Sequence, residues 1–166
     1  MNRCLADPES DAQGGKLTFT DREFETLTSL IEEKTGLAFP AEKRREFLLK
    51  LDKLEPIDGV NSAKALIAAA SSSDETLQRL INVLTVGESY FFRNRPHFNA
   101  LKNVILPQLI EDARERRTLN IWCAGCANGE EAYTLAIIML EFFSLNFNSW
   151  DIGILATDIS ISSLNI

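Results

Sequence analysis

Three consecutive segments between residues 118 and 160 limit the fold more than anything else in the chain. "TLNIWCAG" is a short apolar run ending in small residues, "CANGEEAYTLAIIMLEFF" is a turn leading into a helical pattern, and "IGILATDIS" is a second apolar run carrying Asp158 at its end. Strand, glycine turn, helix, strand is a βαβ unit, and its two strands are parallel because the crossover helix returns the chain to the same edge. Such units belong to sheets covered by helices, so the expected fold class is α/β. Two strands do not close a stable parallel sheet by themselves. The segment therefore reads as roughly the first third of a doubly wound, Rossmann-like domain, and the chain is expected to be truncated within it.

The residues before this unit are helical in pattern. Residues 1–16 are rich in Asp, Ser, Gly and Gln and read as a mobile tail. Thr20 and Glu23 stand at capping-box spacing, Phe24, Leu27, Leu30 and Ile31 share a face, and Gly36 supplies a stop. A second helix is expected from Pro40 to Leu54, with Phe47, Leu48, Leu51 and Leu54 as its buried stripe and Pro56 beyond its end. Two shorter helices follow, the later one with Ser72 and Glu75 at capping-box spacing. Four short helices on short loops predict an all-α bundle over 17–84. Residues 85–95, containing "GESYFFRN", break the helical period and form a linker. Helix resumes from Pro96, with a kink or break expected at Pro107, and leads into the incomplete domain over 96–166.

A formal charge of −7 and a pI near 4.8 argue against a general nucleic-acid binder, which needs clustered Lys and Arg. No run reaches the roughly 18 apolar residues of a membrane span, and the first residues lack the apolar centre of a signal peptide. The expected location is cytoplasmic, with no membrane insertion, and a monomer is the simplest state. Cys4, Cys123 and Cys126 are too few for a disulfide framework. The CxxC of Cys123 and Cys126 lacks the second pair of a zinc site and reads as packing, so no metal is expected. His97, at a helix start, reads as structural.

The loop "AGCANGEEAYT" lies between the first strand and its helix. Gly125 and Gly129 let backbone approach a ligand, and the helix start offers unpaired N–H groups. Its spacing is not G-x-G-x-x-G, and Glu130 and Glu131 would repel a pyrophosphate. An NAD-linked oxidoreductase is disfavoured on both grounds. Asp158 ends the second strand, where an acid accepts the hydroxyls of a ribose. An adenosine bearing a cationic group and no phosphates satisfies both ends: S-adenosylmethionine. The plain alternative is a strand-end acid and a helix start stabilised by two carboxylates.

"LTVGESYFFRN", "IWCAGCANGEEAYTLAI" and "ILATDIS", in this order after a helical module, resemble the CheR family of chemotaxis protein-glutamate O-methyltransferases. The resemblance runs from about Leu17 to the last residue. It implies an N-terminal helical domain and a Rossmann-like methyltransferase domain with the cofactor in the cleft between them. It also implies cofactor-binding roles for Ser89, Arg93, Glu130 and Asp158, of which Arg93 also serves catalysis. Gly87 stands where some members have a polar side chain, and Asn128 where Ser or Thr is usual. In the family a basic N-terminal helix faces the acidic receptor helices. Here Lys43, Arg44, Arg45, Lys50 and Lys53 are interleaved with Glu42, Glu46, Asp52 and Glu55, the pattern of a solvated mixed-charge face.

The implied partners are the cytoplasmic helices of chemoreceptors, and the implied reaction moves the sulfonium methyl to a glutamate γ-carboxylate. That carboxylate, with an ordinary pKa of about 4.3, is ionised at neutral pH and requires no general base. Arg93 would orient cofactor and substrate edge, since clamping the nucleophile's charge would favour the ground state. Tyr90, Phe91 and Phe92 read as packing residues. On this reading the chain alone binds the cofactor weakly and does not transfer methyl. The alternative is a catalytically inactive, CheR-like module that binds a receptor or partner without turnover.

Overall fold

The computed structural model describes residues 16–143 and 149–165. The expected tail, with Cys4, lies outside the described residues except for Lys16. The described chain falls into two compact units, divided between Val83 and Leu84.

In the first unit, α1 (Asp21–Thr35) opens on the capping box expected from Thr20 and Glu23. The Thr20 amide donates to the Glu23 carboxylate at 2.9 Å, and the Glu23 amide donates to Thr20 Oγ1 at 3.3 Å. The Thr20 amide, and after it the Thr20 hydroxyl, which donates to Glu23 Oε2 at 2.7 Å, hold the Glu23 carboxyl below its ordinary pKa. Gly36 closes the helix in the left-handed conformation, φ 76°. Phe24, Leu27 and Ile31 are buried, whereas Leu30 is half-buried.

The second helix is shorter than the sequence predicts. A 3₁₀ turn over Ala41–Lys43 precedes α2 (Arg44–Leu51). Beyond Leu51 the bonds Lys53 N–H to Lys50 O and Leu54 N–H to Leu51 O span three residues, so the last turn tightens before Pro56. Phe47 and Leu51 are buried, whereas Leu48 and, in the tightened turn, Leu54 are only half-buried. Arg44 is engaged within the fold. Its guanidinium donates to Asp21 Oδ1 at 2.7 Å and Phe19 O at 2.6 Å, and it lies over the Phe24 ring.

The helix α3 (Ala63–Ser72) is capped by Ser62, and α4 (Asp74–Leu84) follows almost without a break. The cap expected at Ser72 lies one residue later: Ser73 Oγ accepts the Thr76 amide at 3.2 Å. Ser72 instead bonds back to Ala68 O at 2.9 Å, inside the end of α3. Leu27, Ile31, Phe47, Leu66 and Leu80 are among the most deeply buried side chains of this unit.

In the second unit, α5 (Arg95–Ala100) passes through a π-helical turn over Leu101–Ile105 into α6 (Leu106–Asp112). Pro107 explains the irregularity, because it cannot donate a helical bond and its ring crowds the preceding turn. The chain widens instead, and Leu106 N–H reaches Leu101 O. The strands β1 (Thr118–Ala124) and β2 (Asp151–Thr157) are parallel, in register from Thr118 opposite Asp151 to Ala124 opposite Thr157. Between them runs α7 (Glu130–Phe143), and a single turn, α8 (Ile161–Leu164), follows β2.

Leu119, Cys123 and half-buried Ile121 alternate on the sheet face that meets Leu135, Ile138 and Met139 of α7, and Leu106 joins the same core. On the other face Trp122 and Leu155, neighbours across the ladder, are 68% and 61% exposed. The second unit is thus a mixed arrangement of helices around a small parallel sheet, with one sheet face covered.

Candidate functional site

The residues singled out by sequence converge at the carboxyl ends of β1 and β2, where ligands enter sheets of this kind. The turn over 125–129, which follows β1, is fixed from the end of β2. Gly125 and Cys126 N–H both donate to Thr157 O, at 2.8 and 3.0 Å. Gly125 and Gly129 have φ values of 76° and 91°, and Ala127 shares this left-handed region at 47°. Ala127 is strained there, and the strain is held by Asp158, whose Oδ2 accepts the Ala127 amide at 2.8 Å. The other oxygen, Oδ1, accepts the Ser160 amide at 2.8 Å. Asp158 therefore ties the glycine turn to the end of β2, a role that its position in the sequence does not announce. Each carboxylate oxygen keeps a second lone pair for a ligand.

The linker meets this turn. Phe92 and Asn94 both lie in the left-handed region, with φ of 57° and 62°. Asparagine tolerates that conformation, but phenylalanine there is strained. The Phe92 amide donates to Thr134 Oγ1 at 3.1 Å, fastening the linker to α7. Arg93 is half-exposed and turns back on the linker: it donates to the Glu88 carbonyl, lies 3.9 Å from the Glu88 carboxylate and stands over the Tyr90 ring. The pairing with Glu88 coexists with a place on the cavity wall. A cavity of about 70 Å³ is lined by Ser89, Arg93, Gly125, Cys126, Ala127 and Glu131, with Glu88, Tyr90 and Phe98 completing it. That is space for only a few non-hydrogen atoms.

The two acids at the start of α7 divide. Glu131 lines the cavity. Glu130 is not on that wall, but its Oε2 is buried without a hydrogen-bond partner. A buried, unpaired carboxylate oxygen is costly. The aromatic residues differ from expectation. Tyr90, Phe91 and Phe92 are 56%, 52% and 39% exposed, because the turn over 91–94 directs them outward; Phe92 keeps an edge contact with Phe98.

Cys123 and Cys126 are buried and unpaired by disulfide. Burial pushes both thiols up, reinforced by Glu131 at Cys123 and by Asp158 at Cys126. Both are expected to resist Ellman's reagent in the folded chain at neutral pH and to react on unfolding, as thiol mapping by mass spectrometry would show. Since each pKa is higher folded than unfolded, this contribution to stability is complete below about pH 8.5 and is lost as pH rises. Among the described residues no group of three or more His, Cys, Asp or Glu side chains is placed to hold a metal ion. Nor is any helix there long and apolar enough to cross a membrane.

A parallel βαβ unit with a glycine turn at the carboxyl strand ends is an arrangement shared by nucleotide-cofactor domains. Residues 87–166 match the family described as CheR methyltransferase, SAM binding domain. Its cofactor is S-adenosylmethionine. The chain is 33% identical over 153 residues to a chemotaxis protein methyltransferase of Borreliella burgdorferi, covering 90% of this chain and 54% of the relative. It is 29% identical over 151 residues to chemotaxis protein methyltransferase 1 of Pseudomonas aeruginosa, covering 89% and 55%. A chemotaxis protein methyltransferase of Listeria monocytogenes is 42% identical over 83 residues, half of this chain and 29% of the relative. The chain spans about half the length of the first two relatives.

Proposed function

We propose that the protein methylates glutamate γ-carboxylates of chemoreceptors with S-adenosylmethionine, and that this chain carries the amino-terminal side of the cofactor site. The observation that carries the cofactor assignment is the buried, unpartnered Glu130 Oε2 beside the turn over 125–129. It suits the α-ammonium of the cofactor's methionyl part and would repel a pyrophosphate. Bound S-adenosylmethionine supplies an electrophilic methyl on a sulfonium.

The chain's own residues then bind and orient. Glu130 accepts the ammonium, Asp158 offers its remaining lone pairs to the ribose hydroxyls, and Ser89 and Arg93 hold the cofactor from the linker side. No residue needs to remove a proton, because the attacking glutamate is already ionised. Alignment and exclusion of water are the expected sources of rate. Residues 17–84 act in this reading as a separate helical bundle serving the receptor, and the protein works in the cytoplasm.

The test, on a protein spanning the full length of its relatives, is transfer of labelled methyl from S-adenosylmethionine to a receptor cytoplasmic fragment, with release of the label as methanol by mild alkali. Arg93→Lys is expected to slow transfer about tenfold although charge is kept, because an ammonium cannot reproduce a planar fork held at Glu88 and over Tyr90. Equal rates would reduce Arg93 to a point charge. Receptor binding with no alkali-labile label would overturn the enzymatic reading in favour of an inactive interaction module.

A further inference from the structure

We infer that Thr134 is a positioning residue whose hydroxyl joins the two halves of the cofactor site, a role that rests on the cofactor reading above. Thr134 lies in the second turn of α7, is fully buried and makes two hydrogen bonds. It donates to Glu130 O at 2.6 Å and accepts the Phe92 amide at 3.1 Å. The first bond alone would be ordinary, since helical threonines often bond back to the carbonyl four residues earlier. The second is not local: its donor is 42 residues away in sequence.

Donating to Glu130 O directs the hydroxyl proton toward α7, which leaves an oxygen lone pair for the linker. The hydroxyl is thus an acceptor of fixed orientation for Phe92 N–H. Phe92 is where such an acceptor matters, because its φ of 57° is unfavourable for an aromatic side chain. Arg93 follows immediately, and Ser89 lies three residues before. Through one oxygen, the strained turn of the linker is set against the helix turn that bears Glu130 and Glu131. Release of Phe92 would let the turn over 91–94 relax and withdraw Arg93 from the cavity wall that it shares with Gly125 and Ala127.

Thr134→Val keeps the volume and removes the hydroxyl, and Thr134→Ser keeps the hydroxyl and removes a methyl. Amide exchange by NMR on the unliganded chain is expected to speed up roughly tenfold at Phe92 in Thr134→Val, the scale of one lost hydrogen bond, with the α7 amides of Leu135 and Met139 unchanged. Affinity for S-adenosylhomocysteine is expected to fall roughly tenfold, and Thr134→Ser is expected to restore both readouts. Unchanged exchange at Phe92, or faster exchange with unaltered affinity, would overturn the inference. So would a Thr134→Ser chain that behaves like Thr134→Val, since the loss would then follow packing. If the unsubstituted chain binds no S-adenosylhomocysteine, the cofactor reading fails, and exchange at Phe92 alone then decides whether Thr134 holds the linker.

Discussion

Glu130→Gln is expected to weaken S-adenosylmethionine binding by about 10- to 100-fold and to leave the unliganded chain as stable as before, or slightly more so. The two effects differ in direction because the carboxylate has an unpaired buried oxygen while the site is empty of ligand. Hydrogen bonds to charged groups contribute roughly 1.5–3 kcal/mol, and each 1.4 kcal/mol is tenfold in affinity. The amide retains shape but forfeits the charge that receives an ammonium. A residue with a purely structural role would lose stability on substitution, and calorimetric titration beside a urea midpoint separates the two. A fall in stability with unchanged affinity would assign Glu130 to the helix start alone.

Asp158→Ala is expected to act on both quantities. Two backbone donors, the amides of Ala127 and Ser160, lose their acceptor at once, and Ala127 loses what holds it at positive φ. A loss of about 2–4 kcal/mol in stability is expected from two charge-assisted bonds at a half-exposed position, with cofactor affinity falling further as the turn over 125–129 loosens. Asp158→Asn should recover part of the stability, because its amide oxygen replaces one acceptor. The check is a denaturant titration of the three chains together with amide exchange at Ala127. Full stability in Asp158→Ala with only affinity reduced would mean that the carboxylate serves the ligand and not the turn.

The parts of the fold that the sequence announced have local causes. The Thr20 and Glu23 box, the stop at Gly36 and the switch from helical to strand pattern after residue 118 each depend on a few neighbouring residues, and each appears where the pattern put it. Errors came where the local signal was degenerate. Ser72 has Glu75 at capping-box spacing, but α3 runs through Ser72 and leaves the cap to its neighbour Ser73. Asn94 is a residue type that tolerates the left-handed region, but nothing in "YFFRN" foretells Phe92 there, so the outward course of the aromatics was not legible. Glu130 and Asp158 lie near one another because the strand ends and glycine turn of a βαβ unit bring such positions together, whereas Ser89 and Arg93 come from the linker that lines the same cavity as the turn. Thr134 was missed because its meaning lies in a bond across 42 residues, and the tie from Asp158 to the turn because an acid at a strand end is equally suited to a ribose.

The proposed function has S-adenosylmethionine held where the linker, the turn after β1 and the end of β2 meet. Its most direct test is a map of amide shifts as the isotope-labelled chain is titrated with S-adenosylhomocysteine, which registers weak binding as readily as tight. Saturable shifts concentrated at residues 88–93, 125–131 and 158–160 are the predicted result. Shifts confined to the separate cavity lined by Leu48, Leu51, Leu54 and Ile57 in the first unit, or no saturable shift at all, would contradict it.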